Sequence, residues 1–294
     1  MFERLDQCPI CEGSDIQNDQ IITDHSVSKE EFALSKCQTC GFLFTNPRPT
    51  EDNLSKYYRS LEYISHQNKT NTLVNKVYSI VRKYTLKWKL RLVSRYISKG
   101  KILDIGCGTG HFLQVMQNAG WKTYGVEPDD TARNTATQMV GKDFIHNSLY
   151  SLPSEKFDVV TLWHVLEHVS ELDSQFKIIK QHLAPSGRLL VAVPNHRSFD
   201  AQHYQQFWAG YDVPRHLYHF DRNTMQVISK KVGLKIVDIL PMKLDAYYVS
   251  LLSEKYMGTG LNSYLKSITT AYKSNSYAKK TGDYSSLIFV MKFK

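Results

Sequence analysis

From Lys101 onward the chain alternates short apolar runs with segments whose apolar residues return every three to four positions. Lys101–Cys107, Lys122–Glu127, Asp143–His146, Phe157–Trp163 and Gly187–Val193 read as buried strands. Between them lie helical stretches such as Leu172–Leu183, where Phe176, Ile179 and Leu183 share a face. This alternation predicts a parallel sheet with helices on both sides. After Pro194 an irregular aromatic segment runs to Phe220. A helix (Arg222–Val232), a strand (Leu234–Leu240), helical material (Asp245–Lys279) and a last strand (Ser286–Phe293) follow. Ahead of the sheet, Val77, Ile80, Val81, Tyr84, Trp88 and Tyr96 recur at helical spacing over 71–98, and Gly100 ends that helix. Residues 1–60 are different in kind: short, turn-rich, and holding four of the five cysteines. Three units result, 1–60, a connecting helical segment 61–100, and 101–294.

Composition narrows the class. A chain of 294 residues, 42% hydrophobic and 22% charged, suits one large α/β domain with a small attachment and excludes a disordered chain. Its apolar stretches fall far short of the ~18–20 residues that cross a bilayer. The N-terminal Met1–Asp6 carries two acids and no apolar core, unlike a secretory signal, so a cytoplasmic location is expected. The formal charge is +9, from 37 basic and 28 acidic residues. Such an excess can serve RNA, an anionic membrane surface or a phosphorylated substrate, or simply face water. Its densest stretch, from Lys76 to Lys101, includes Arg82, Lys83, Lys87, Lys89, Arg91 and Arg95, spaced to occupy the wet side of the predicted helix.

The strongest chemical signal is the run from Lys101 to Gly110, in which an apolar strand enters three glycines at alternate positions and then a helix. Glycines there let the backbone turn sharply and approach a ligand. A dinucleotide fingerprint would want glycine at 111, where His111 stands. Asp104, before the loop, would repel a pyrophosphate but suits a cofactor with an α-ammonium group and no phosphate. Glu127 ends the next predicted strand 23 residues after Asp104, where an acid hydrogen-bonds ribose hydroxyls in such folds.

The run "ILDIGCGTG", the "GVEP" after it and "FDVVTLWHVLEHV" resemble the successive motifs of class I S-adenosylmethionine (SAM)-dependent methyltransferases, in order over about 101–240. The resemblance implies a Rossmann-like seven-stranded sheet whose last strand, Ser286–Phe293, is antiparallel to its neighbour. It also implies that Asp104, Gly106 and Gly110 hold the methionine part and Glu127 the ribose, with Asn147 or Ser148 near the adenine. Cys107, Gly108, Pro128 and Trp163 complete the expected cofactor-binding set, the Cys107 side chain being read mainly as packing.

On the substrate side, Trp163, His164, Glu167 and His168 fall at the carboxyl end of the fourth strand, which borders the ligand crevice in open α/β sheets. His164 is the preferred base; His168 is equally well read as a packing or capping residue. The run "DVPRHLYHF" resembles a substrate-side loop of small-molecule methyltransferases, and places Arg215 and His216 to meet an acid or a hydroxyl, with Trp208 excluding water. "LWHVLEHV" is similar to a stretch of ubiquinone-type O-methyltransferases in which acids and a histidine bind a divalent metal. Here His164 replaces the first acid, and no second metal is assigned to His164, Glu167 and His168.

Cys8–Cys11 and Cys37–Cys40 form two C-x-x-C pairs separated by 25 residues, the tetrahedral spacing of structural zinc in a module too small for a core of its own. With residues 41–58 this ribbon resembles the N-terminal module of sugar C-methyltransferases and of related methyltransferases with unassigned substrates; in the former the module helps shape the substrate pocket, which Tyr57 or Tyr58 would reach, and a further C-terminal domain of the sugar enzymes is not expected here. The expectation is a SAM-dependent methyltransferase of a small molecule, a sugar, quinone-like compound or other metabolite. The alternatives are a tRNA or rRNA methyltransferase gripping phosphates with the ribbon and basic helix, and a non-catalytic SAM-binding regulator.

Overall fold

The structure, a computed structural model, describes residues 1–58, 73–258 and 260–294. Five short strands precede residue 58: β1 (Phe2–Glu3), β2 (Ile16–Thr23), β3 (Glu31–Cys37), β4 (Leu43–Thr45) and β5 (Arg48–Pro49). β2, β3 and β4 form an antiparallel meander, and β1 pairs with β5. Helix α1 (Leu73–Ser94) follows; the expected start at 71 lies outside the described residues.

The predicted alternation is then observed in β6 (Lys101–Ile105), α2 (His111–Asn118), β7 (Lys122–Val126), α3 (Asp130–Val140), β8 (Ile145–His146), β9 (Phe157–Trp163), α4 (Leu172–His182) and β10 (Leu183–Pro194). α5 (Phe199–Tyr204), β11 (Tyr218–His219), α6 (Arg222–Lys231), β12 (Leu234–Pro241), α7 (Asp245–Tyr256), α8 (Ser263–Thr281) and β13 (Ser286–Phe293) complete the chain. Seven strands form one sheet in the order β12-β13-β10-β9-β6-β7-β8, in which β13 runs antiparallel to both neighbours. The expected Rossmann-like sheet with an antiparallel last strand is therefore present. From β6 the chain steps outward to β7 and β8, then returns to the other side of β6 with β9. The carboxyl ends of β6 and β9 are accordingly the switch point where a crevice opens.

Three expectations shift in detail. β10 begins at Leu183, directly out of α4, because Leu183 pairs with Phe157 and a register irregularity before Arg188 absorbs the intervening residues. The helical material after Asp245 resolves into two helices, α7 and α8, packed on each other. The third divergence is chemical: Ile80, Val81 and Tyr84, expected on the buried face of α1, are exposed, while Lys89, assigned to the wet face, is turned inward. What α1 buries instead is Leu92 and Val93, packed with Ile102, Met116 and Trp121.

The cysteine-bearing segment is not held at a distance. Cys8, Ile10, Cys37, Phe42 and Phe44 belong to the same continuous apolar core as Leu166, Tyr218 and Phe220. β11 adds to β4 as the fourth strand of the N-terminal sheet, pairing Tyr218 with Phe44 and His219 with Leu43. The segment after β10 is thus fixed by the N-terminal sheet, and this is how that sheet positions the site.

Candidate active site

The loop after β6 is shaped by its glycines. Gly106 has φ +69° and a Cβ there would lie 2.5 Å from Val165 Cγ2, so both conformation and space exclude a side chain. Gly108 has φ +54° but nothing within 4 Å of a Cβ position, which leaves open space over the loop for a ligand. Its amide donates to Glu127 Oε2 at 2.8 Å, while Glu127 Oε1 accepts from the Asp129 amide at 3.0 Å. The carboxylate is thereby oriented at the loop, half-buried, at the end of β7. The Cys107 side chain faces a small apolar cluster with Leu113, Ala136 and Ile145, which leaves its backbone as the part directed at the loop. Asn147 and Pro128 are exposed, and Ser148 is half-buried, at the ends of β8 and β7.

Asp104 is buried within the sheet and accepts a 2.6 Å hydrogen bond from Thr161 Oγ1. Burial raises its carboxyl to about 7, against the opposing pull of Thr161 and Lys89. Lys89 reaches the same place from α1: its ammonium lies 4.1 Å from the centre of the Trp163 ring, a cation–π contact, and is held near Asp104 and Asp245. Burial lowers Lys89 to about 8, the two acids offsetting part of that effect. An acid and an ammonium therefore converge beside an open glycine loop. Lys89 escaped the sequence reading, although it stands three residues after Leu86 and four before Val93, on the apolar side of the helix.

His164 follows Trp163 with φ +58°, an uncommon left-handed conformation for a side-chain-bearing residue, of the kind that clusters at functional sites. Its Nε2 is 2.9 Å from Asp245 Oδ2 and its Nδ1 is 3.3 Å from Glu167 Oε1. Burial works against charging the ring, but the two acids outweigh it and raise His164 to about 10. An acid at each ring nitrogen favours the charged form of His164, which works against the role of base expected for it. Asp245 stands at the start of α7, and a lone acid opening a helix carries no sequence signal for such a role.

Two further rings lie on the other side of Glu167. His216 Nδ1 is 2.9 Å from the Gly210 carbonyl, and because a carbonyl can only accept, Nδ1 carries a proton, while Nε2 stands 4.0 Å from Asp212 Oδ2. His168 Nδ1 is 3.0 Å from the Arg215 carbonyl and 3.0 Å from Tyr58 Oη, and burial lowers this ring to about 4, so it is neutral. The two rings meet edge to face at 4.6 Å. Glu167 is fully buried, yet neither carboxylate oxygen has an aligned hydrogen-bond donor among the described residues. Glu167, His168 and His216 each offer a ligand-capable atom within 4.8 Å of the others. A buried carboxylate paired on one side with His164 and flanked on the other by the His168 and His216 rings suits a substrate hydroxyl or a cation.

Arg215, expected to meet substrate, has another task. Nε and Nη2 bond Asp212 at 3.0 and 2.7 Å, Nη2 bonds Asp24 Oδ1 at 2.8 Å, and Nη1 bonds the Tyr57 carbonyl at 2.9 Å. Asp24 in turn accepts the amides of Ser26, Val27 and Ser28. Arg215 is thus a buried clamp between the N-terminal module and the loop that carries His216. Trp208 is buried and donates to Asp200 at 2.8 Å, a packing role. Thr45 of β4 donates to the His216 carbonyl at 2.8 Å, a second tie from the same module.

Cys8, Cys11, Cys37 and Cys40 converge with all four sulfurs within 4.8 Å of one another, Cys8 being 3.6 Å from Cys40 and Cys11 3.5 Å from Cys37. Four thiolates about 2.3 Å from a tetrahedral zinc stand roughly 3.8 Å apart, so this cluster fits the ion.

A family model described as a methyltransferase domain matches residues 79–239. Ubiquinone biosynthesis O-methyltransferase of Actinobacillus pleuropneumoniae serotype 7 is 35% identical over 108 residues, 32% of this chain and 46% of that protein. The protein of the same name from Rickettsia typhi is 27% identical over 150 residues, 48% of this chain and 61% of that one. The chain thus spans about half the length of the curated relatives it matches. In fold it is similar to magnesium protoporphyrin IX methyltransferase of Synechocystis PCC 6803, with a TM-score of 0.52 at 16% identity, covering 81% of this chain and 97% of that one. The match covers more than half of the sequence, and the chain belongs to the methyltransferase-domain family.

Proposed function

We propose that the chain transfers a methyl group from SAM to a hydroxyl of a small molecule. The observation that carries this reading is the convergence of the Asp104 carboxyl and the Lys89 ammonium beside the open glycine loop. That pair is complementary to a zwitterionic amino acid, with Asp104 and the Gly106–Gly110 backbone taking the ammonium side and Lys89 the carboxylate. Glu127 takes the ribose hydroxyls, Asn147, Ser148 and Pro128 border the base, and Trp163 lines the floor. Relatives named as O-methyltransferases support oxygen as the acceptor.

SAM supplies a methyl already activated by a sulfonium, so the protein need only position the acceptor and remove its proton. His216 Nε2 is the base in this reading, with its tautomer fixed by Gly210. Glu167 and His168 orient the acceptor, and the His164 imidazolium holds Glu167 ionised. Arg215 positions His216 through Asp24 and Asp212 rather than touching substrate.

The four cysteines bind one structural zinc in a ribbon spanning 1–60, joined through a connecting segment, 61–100, to the methyltransferase domain of 101–294. Among the described residues no helix is long and apolar enough to cross a membrane. The test is incubation with radiolabelled SAM and a cell extract, followed by fractionation with and without ribonuclease. Label in the small-molecule fraction, reduced about 10²–10⁴-fold in rate by His216→Ala, is expected. Label that ribonuclease removes, or full turnover by His216→Ala, would overturn the reading.

A further inference from the structure

Helix α8 is amphipathic in the reverse sense. The face it packs against the protein is small and polar, with Ser267, Thr270, Ala271, Ser274 and Ala278 buried. Ser274 Oγ donates to Asp200 Oδ1 at 2.6 Å, and this anchor is shared with Trp208 and Ser285, which bond the other oxygen of Asp200. The large apolar side chains point outward: Tyr264, Leu265, Ile268 and Tyr272 are each between 54% and 69% exposed. At 3.6 residues per turn these four fall within roughly 100° of arc, one continuous stripe. α7 repeats the arrangement, burying Ala246, Ser250 and Ser253 while exposing Tyr247 and Tyr248. A helix that only faced water would carry its apolar stripe inward.

Charge decides what covers this face. Residues 245–281 contain five lysines, Lys255, Lys266, Lys273, Lys279 and Lys280, and two acids, Asp245 and Glu254. Both acids are turned inward, Asp245 to His164 and Glu254 to Tyr204. A second copy docked face to face would set lysines against lysines with no carboxylate of this hairpin to balance them. Tyrosine and aliphatic side chains beside lysines, with no exposed acid, are the chemistry of a helix lying in the headgroup region of an anionic bilayer.

We propose that α8, with α7, docks the protein on a membrane surface rich in anionic lipid, the Tyr264–Tyr272 stripe entering the interface and the lysines meeting lipid phosphates. The inference is independent of which molecule is methylated. Through Asp245, paired to His164, the first residue of α7 ties this helix pair to the candidate active site.

The test is flotation of the full chain with vesicles of phosphatidylcholine alone or mixed with phosphatidylglycerol, at low and high salt. Binding is expected to the mixed vesicles only, weakening as salt rises. Leu265→Ser/Ile268→Ser/Tyr272→Ser is expected to reduce it at least tenfold, as is Lys266→Glu/Lys273→Glu, at about fivefold per lysine lost. All five side chains are exposed, so circular dichroism should be unchanged, and the lysine variant tests the proposal even if the apolar one misfolds. Absence of flotation with the mixed vesicles at low salt, or flotation unaffected by either variant, would overturn it. So would a dimer in sedimentation velocity that the apolar variant dissolves, which would assign the face to a second copy.

Discussion

His164 Nε2 stands 2.9 Å from Asp245 Oδ2, a contact that joins the end of β9 to the start of α7 across 81 positions of sequence. It favours the charged form of a candidate base, and through Glu167 it reaches the His168 and His216 rings.

The contact has a pH signature. His164 is raised from 6.5 to about 10, so its pairing stabilises the fold fully below about pH 6.5 and is lost as pH rises through about 10. Asp245→Asn should therefore lower the thermal midpoint near neutral pH, with the difference from wild type shrinking as pH rises above about 10. Thermal melts at a series of pH values check this. A loss of equal size at every pH would show that Asp245 matters only for packing.

Lys89 predicts a pH dependence of ligand binding. Its ammonium, lowered to about 8 by burial, must be charged to hold a carboxylate, so the Kd for SAM should rise as pH passes about 8. Lys89→Ala should weaken SAM about ten- to a hundredfold, since a hydrogen bond to a charged group contributes roughly 1.5–3 kcal/mol. Lys89→Arg, charged at any accessible pH, should flatten the dependence. Calorimetric titrations across pH would show it, and a flat profile for wild type would remove Lys89 from the site.

Much of this was legible in the residues, and the misses have physical causes. The strands, the helices and the glycine loop follow from period-two and period-3.6 patterns that burial enforces locally, whereas the antiparallel direction of the last strand came only with the family resemblance. Lys89 was misassigned because a charge on a helix is ordinarily solvated, and only the acids brought by β6 and α7 make its burial tolerable. Arg215 was read as substrate-facing because the residues that occupy it, Asp24 and Asp212, are known as partners only once β2 and the loop are brought together. His164 looked like a base for the same reason: its second acid is 81 residues away.

The cysteine cluster makes a compositional prediction. Purified protein should contain about one zinc per chain by plasma emission spectroscopy, and Cys11→Ser should lose it. Because β4 holds both the His216 carbonyl and β11, metal loss should reduce kcat along with the thermal midpoint. A metal-free protein with full activity would separate the ribbon from the site.

The central claim is that the glycine loop, Asp104, Lys89 and Glu127 form a SAM site, and isothermal calorimetry of SAM with the wild-type chain and with Glu127→Ala tests it most directly. The account predicts one site per chain and a Kd weakened about ten- to a hundredfold by the substitution, through the loss of charged hydrogen bonds to the ribose. No SAM binding to wild type, or the same Kd in both proteins, would contradict it.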